Sequence, residues 1–537
     1  MENKENKPWD SVSRTLAVTK GFSFRLALVV FGAALVSAQT YITPIQHVIV
    51  IVQENRTPDN LFNDPKLIAH GADIQEAADA HATPLWVCWD PGHGHGSWLD
   101  QYNQGSCSST VRYMKHCNPP AFTCPQDTYV RNTAKDRTIQ PYWDLAEQYG
   151  FANYMFQTNE GASFAAHQFL FSGTSAPVAY GDPSGLYRYF NAENPGNGAN
   201  MNAGCIAPDD WLALDIDPRG SMSFAYTPPD PPGSPAGFPC FEHAALTDLL
   251  DNAGLAWKYY GYTLANSIWN TPNAIDHICQ PTGPGGTCQG PHWKNNDVDL
   301  YDWNIFGDVL LRCKLAAVTW VMPDGQYSDH PGGLDNGSGG PDWVANIVND
   351  VGTSKCRNQD GTSYWNTTAI FVTWDDWGGF YDHVAPWKVL LETDQHDCTE
   401  WGCGFVYGFR VPLLVISAYT PAGYISGSPS QGGEVPPFIH DSGSILNFAE
   451  YVFSGFGVTQ GGIGPPEWPF DDYWAPDSYL SGNCLRTRCP YSLFDFFDFG
   501  ASPRPFVPVK IQLHHESDFI DLKAFGGVHE DPDLETP

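Results

Sequence analysis

Five short runs rich in β-branched and aromatic residues set the tightest limit on what this chain can become: His47–Gln53, Leu255–Tyr260, Ala316–Met322, Ala369–Trp374 and Pro412–Ser417. They read as buried strands, because a strand covered on both faces needs a nearly continuous apolar run. Helical candidates lie between them at Tyr142–Gln148, Ala244–Asn252, Trp343–Asp350 and Ser444–Phe453. Strands alternating with helices predict an α/β fold, with a largely parallel central sheet and helices on both faces. The pattern fails between 178 and 240, where Asn194-Pro195-Gly196-Asn197-Gly198 and Pro228-Pro229-Asp230-Pro231-Pro232 break any element. That stretch is expected to be a loop-rich insertion or cap over one edge of the sheet, held by Cys205 and Cys240.

Composition removes several function classes. With 60 acidic against 27 basic residues and a formal charge of −33, the net field repels DNA, RNA and anionic lipid, so a nucleic-acid coat is excluded. The 19 Trp, 25 Tyr and 31 Phe are far more than a solvated coil carries. At the N-terminus, Lys20 and Arg25 precede the apolar run Leu26 to Val36 and the small-residue site Val36-Ser37-Ala38. This predicts a signal peptide over 1–38, since the run is too short to span a bilayer. The chain is therefore expected to be secreted or periplasmic, with no integral membrane segment after cleavage and a C-terminal tail over 509–537. All 14 cysteines follow the cleavage site, as an oxidising compartment would permit. The close pairs Cys117/Cys124, Cys279/Cys288, Cys398/Cys403 and Cys484/Cys489 are candidates for local clips.

Chemistry is expected at the carboxyl ends of the strands, where open α/β sheets bind ligands. Two ends are unusually polar: His47–Gln53 delivers Glu54-Asn55-Arg56, and Ala369–Trp374 delivers Asp375-Asp376. Adjacent carboxylates repel unless a cation or proton stands between them. Three carboxylates and an amide oxygen form a hard-oxygen cage suited to one divalent ion, with calcium, magnesium, manganese and zinc all open. The bland reading is that these acids cap loops or helices.

These residues, with Trp374-Asp375-Asp376-Trp377-Gly378-Gly379-Phe380-Tyr381-Asp382-His383 and Arg410-Val411-Pro412, resemble the phosphoesterase family. That family includes non-haemolytic phospholipases C and secreted acid phosphatases, and it is related in fold to alkaline phosphatase. Ser172-Gly173-Thr174-Ser175, Ser328-Asp329-His330-Pro331, His440-Asp441-Ser442-Gly443 and Asp495-Phe496-Phe497-Asp498-Phe499 extend the resemblance, so a catalytic domain is expected over 39–508. The resemblance implies that Ser163, in Gly161-Ala162-Ser163, attacks phosphorus, with Glu54, Asn55, Asp375, Asp376 and Ser163 as metal ligands. A serine hydroxyl needs such activation. The chain departs from the family at Ala165-Ala166-His167, which replaces Pro-Asn-Arg; His167 is either a substitute phosphate contact or a packed histidine. The resemblance also brings His93, His277 and His330 to the site, with His95 an alternative to His93; His383 is either a further site histidine or a buried structural partner for Asp382.

The function implied is a secreted, metal-dependent phosphoesterase acting through a phosphoserine. Its substrate would be a phosphate ester, with a phospholipid head group within range. The sequence does not separate a phospholipase C-like diesterase from an acid phosphatase-like monoesterase. No P-loop, Gly-x-Ser-x-Gly or His-Glu-x-x-His motif occurs. The competing class is an exported, non-catalytic protein that binds a sugar or calcium, for which a hydroxyl at Ser163 has no use.

Overall fold

A computed structural model describes residues 40–115, 117–175, 191–196, 202–216, 237–262, 264–332, 339–386, 406–427, 439–458 and 493–515. The expected signal peptide, most of the insertion, residues 516–537, and Cys398, Cys403, Cys484 and Cys489 lie outside them.

The core is an eight-stranded sheet. Its strands in chain order are β1 (His47–Gln53), β2 (Gly150–Ala152), β3 (Trp257–Tyr260), β4 (Val298–Asp299), β5 (Val318–Val321), β6 (Thr368–Trp374), β7 (Leu413–Ser417) and β8 (Tyr424–Ser426). Across the sheet they run β4-β3-β5-β1-β6-β7-β2-β8, and only β7 is antiparallel to its neighbours β6 and β2. The fold is therefore α/β with a largely parallel sheet. The two longest strands, β1 and β6, are adjacent, central and buried at every residue. That placement is why their interiors, Val48–Val52 and Ala369–Val372, are apolar.

The longer helices are α1 (His95–Gln104), α2 (Gln140–Gln148), α3 (Ser163–Ser172), α4 (Leu246–Ala253), α5 (Gly340–Thr353) and α6 (Ser442–Val452). Successive side chains on a strand point to opposite faces, so Phe371 and Trp374 of β6 probe the two sides of the sheet. Phe371 packs on Phe448 of α6 with ring centroids 5.1 Å apart, while Trp374 packs on Tyr142 of α2 at 5.0 Å. Both faces are thus covered. Helix α3 shares the α6 side, where Trp320 of β5 stacks near Phe171 and donates to Leu170 O at 2.9 Å.

Among the described residues, five disulfides join Cys88–Cys117, Cys107–Cys124, Cys205–Cys240, Cys279–Cys288 and Cys313–Cys356. The pairs expected at Cys205/Cys240 and Cys279/Cys288 are present. Cys117 and Cys124 do not pair with each other, because an antiparallel ribbon of Trp89–Pro91 with Val111–Tyr113 returns the chain beside Cys88. The described parts of the insertion contribute Trp211 and Phe238 to a small second core with Phe241, Tyr262 and Trp269, and Phe164 of α3 enters it. Residues 509–515 dock on α5, whose Asp342 carboxylate accepts from the N–H groups of Gln512, Leu513 and His514.

Candidate active site

Register places the site. Gln53 lies opposite Trp374 in the parallel pair β1–β6, so Glu54-Asn55 and Asp375-Asp376 leave the sheet side by side. The crossing is tight and held by backbone: Asp375 N donates to Gln53 O, Asn55 N to Asp375 Oδ1, and Arg56 N to Asp376 O. Asn55 turns there with φ 57°, a left-handed conformation that asparagine tolerates better than most residues. Gly378 follows with φ 63°, and a Cβ on it would meet Asn55 O at 2.3 Å, so no larger residue fits.

Ser163 is the first residue of α3, and it is fully buried. Its Oγ donates toward Asp376 Oδ2 at 3.1 Å and lies 3.4 Å from Glu54 Oε2. Two expected ligands, Glu54 and Asp376, therefore converge on the expected nucleophile. His167, one turn along α3, joins them: its Nε2 is 2.9 Å from Glu54 Oε1 and 3.8 Å from Asp375 Oδ2. Of the two readings for His167, the structure favours neither a phosphate contact nor plain packing; it is a partner of the carboxylates.

The Asn55 amide links this cluster to two histidines. With its oxygen toward the imidazoles, the orientation that satisfies the network, it accepts from His93 Nε2 at 2.8 Å and His330 Nε2 at 3.1 Å. Its nitrogen then donates to Asp375 Oδ1 at 3.2 Å and Glu54 Oε2 at 3.1 Å. Backbone carbonyls fix both rings, Pro91 O on His93 Nδ1 and Pro331 O on His330 Nδ1. The loop bearing His330 follows β5 and is tied to the end of β1 and to the turn that follows it. Asp329 N donates to Gln53 Oε1, and the buried Arg56 guanidinium donates to Asp329 O. Burial pushes the Asp329 carboxyl up to about 7, against the pull of Arg56 and of hydrogen bonds from Tyr142 and Trp374.

Other expected residues go elsewhere. His95 stacks on Trp98 and bonds Glu160 O through Nδ1, so His93 and not His95 meets the cluster. His383 does not pair with Asp382. It bonds Asp59 at 2.7 Å and Asp73 at 3.2 Å, and Asp382 instead takes the Arg410 guanidinium at 2.9 Å. His277 is not brought to Ser163 by any contact: Nδ1 bonds Glu242 at 2.8 Å and Nε2 bonds Asp248 at 3.0 Å.

That last clamp has a consequence for stability. Burial disfavours the His277 cation, but hydrogen bonds to Asp248 and Glu242 outweigh it and push the ring up to about 10. A raised folded-state value means stability that is fully present below the unfolded histidine's pKa and is lost as pH rises through about 10. Because the side chain is 34% exposed, solvent screening reduces the contribution to about 1 kcal/mol. His277→Gln should destabilise the protein by that amount near pH 6 and by progressively less at higher pH, as read from denaturant midpoints. A difference that grows with pH would refute the clamp.

The donor set fits a cation. Glu54, Asp375 and Asp376 are each at most 3% exposed, and Asp375 Oδ2 is buried with no hydrogen-bond partner among the described residues. Glu54, His167 and Asp375 each offer a ligand atom within 4.8 Å of the others. Carboxylates at such spacing are costly to bury without further positive charge.

Together these features define an α/β protein whose central strand ends carry a buried site of hydroxyl, carboxylates and histidines. A family model, described as the Phosphoesterase family, matches residues 45–455. The chain belongs to that family. It is 24% identical over 453 residues to the non-hemolytic phospholipase C of Pseudomonas aeruginosa, covering 78% of this chain and 55% of that protein. It is 27% identical over 224 residues to phospholipase C A of Mycobacterium tuberculosis, covering 39% and 40% of the two chains. The chain thus spans about half the length of the curated relatives it matches. Among solved structures, a protein in the alkaline phosphatase superfamily from Vibrio parahaemolyticus aligns at TM-score 0.29 and 10% identity, covering 80% of this chain and 70% of that one.

Proposed function

We propose that this protein is an exported phosphoesterase, phospholipase C-like or acid phosphatase-like, that hydrolyses phosphate esters through a phosphoserine at Ser163. One observation carries the reading: a buried serine hydroxyl at a helix start, 3.1 Å from one carboxylate and 3.4 Å from another. A structural serine has no need of two carboxylates, whereas a nucleophile needs acceptors for its proton. Five disulfides and the signal-like N-terminus support export, and no helix among the described residues is long and apolar enough to cross a membrane.

Ser163 Oγ attacks phosphorus in line, and its proton passes to Asp376 Oδ2, which already accepts from it. The bond from phosphorus to the leaving alcohol breaks as the new Oγ–P bond forms. His93 and His330, held on one side of Asn55, stand ready to protonate the departing alkoxide. Water then attacks the phosphoserine and returns Ser163. Glu54, Asp375, Asp376 and Ser163, with His167, would hold one divalent metal ion, and Asn55 would join them with its amide turned so that the oxygen faces the carboxylates; the ion would supply charge neutralisation for the phosphoryl oxygens and lower the serine pKa. His277, in its clamp with Glu242 and Asp248, is left to structure.

Side-by-side hydrolysis of a chromogenic phosphomonoester and a phosphocholine diester tests this. At least one should turn over, lose its activity on exhaustive chelation, and recover on metal add-back. Full activity in protein shown by elemental analysis to be metal-free would refute metal dependence, and hydrolysis of neither ester would refute the proposed activity.

A further inference from the structure

Helix α3 starts without a capping side chain of its own, and its first N–H groups are met from the insertion. Ala162 N donates to Glu193 Oε1 at 3.3 Å, and Phe164 N donates to Asn194 Oδ1 at 2.8 Å. The N–H of Ser163, between these two, makes no hydrogen bond to the described residues. The Glu193 carboxylate is fixed by His95 N on Oε2 and by Asn194 N on Oε1. It sits so near Gly161 that a Cβ there would lie 3.2 Å from Oε2. Both residues are 4% exposed, and Asn194 Nδ2 is buried without a hydrogen-bond partner among the described residues. Against the start of α3, which carries the attacking hydroxyl, there are thus two open neutral donors and one fixed carboxylate.

We propose that Glu193 and Asn194 determine which phosphoryl groups Ser163 accepts. Asn194 Nδ2 and the Ser163 N–H take one non-bridging oxygen, and the Glu193 carboxylate turns away a phosphoryl group bearing a second negative charge. A helix N-terminus ordinarily welcomes anions, but here a carboxylate already occupies one of its N–H groups. Like charges in a dry site repel strongly. A phosphodiester brings one charge, and a monoester near neutral pH brings about −1.5 to −2. The inference rests on Ser163 as the nucleophile and adds a selectivity that the proposed function leaves open.

The test uses metal-loaded protein and two esters of one leaving group, 4-nitrophenyl phosphate and methyl 4-nitrophenyl phosphate. Glu193→Gln should raise the monoester-to-diester ratio of kcat/KM by roughly tenfold or more, about 1.4 kcal/mol. Asn194→Ala should lower kcat on the better ester by on the order of 10²-fold, as for loss of a donor to a developing oxyanion, with metal content unchanged. An unchanged ratio in Glu193→Gln, or unaffected kcat in Asn194→Ala, overturns the proposal. Should Glu193→Gln fail to fold, Glu193→Ser removes the charge and keeps an acceptor; if both fail, the pair is structural and the proposal falls. Ser163→Ala separates the two levels. If it remains active, the nucleophile reading fails; if it is dead while the ratio in Glu193→Gln is unchanged, only the selectivity fails.

Discussion

Ser163→Ala is expected to lower kcat by roughly four to six orders of magnitude, the scale on which deleting a covalent nucleophile disables a hydrolase. At about 1.4 kcal/mol per tenfold, that is roughly 5–8 kcal/mol of transition-state stabilisation. The fold should survive. The hydroxyl's described contacts are to Asp376 and Glu54, and the start of α3 is held by Glu193 and Asn194 instead. Metal content should stay near that of the wild type, since the carboxylates remain. A folded alanine variant within tenfold of wild-type turnover would show that water attacks directly.

Asp376→Asn should act in opposite directions with and without metal. Glu54, Asp375 and Asp376 lie buried together, so neutralising one relieves repulsion in the metal-free protein and raises its Tm. The same change removes the proposed ligand charge and the proposed acceptor for the Ser163 proton, so turnover should fall on the order of 10³-fold. The rise in Tm on adding metal, which reports binding to the folded state, should shrink or vanish. A variant that keeps both the wild-type metal shift and wild-type turnover would remove Asp376 from the ligand set.

Much of this was legible because central parallel strands, covered on both faces, need nearly continuous apolar runs. His47–Gln53 is a strand over the same residues that the sequence suggested, and β6 starts one residue earlier than expected. Their polar continuations could be read as a candidate site for the same reason, since adjacent carboxylates at the end of a buried run repel unless a cation or proton stands between them. Helix α3 escaped notice although it carries Ser163. All ten of its residues are buried, so it shows no polar face and no helical period. Its cap also comes from Asn194, thirty residues away in sequence. Strands β2, β4 and β8 are two or three residues long, too short for any periodicity. Glu193 sits in a stretch dominated by Gly, Pro and Asn, where composition speaks only of loops, and its approach to Ala162 is a purely tertiary event. His277 and His383 show the converse. Each stands beside an acidic neighbour in sequence, yet their partners, Glu242 with Asp248 and Asp59 with Asp73, arrive from distant segments.

The central claim is that Ser163 is transiently phosphorylated. Acid-quenching the metal-loaded wild-type protein during turnover of its better ester, then mapping phosphopeptides by mass spectrometry, tests it directly. Phosphate on the peptide containing Ser163, appearing with substrate and absent from Ser163→Ala, is the predicted result. Steady turnover with no phosphopeptide at any quench time, in a protein whose Ser163→Ala variant still hydrolyses the ester, would contradict it.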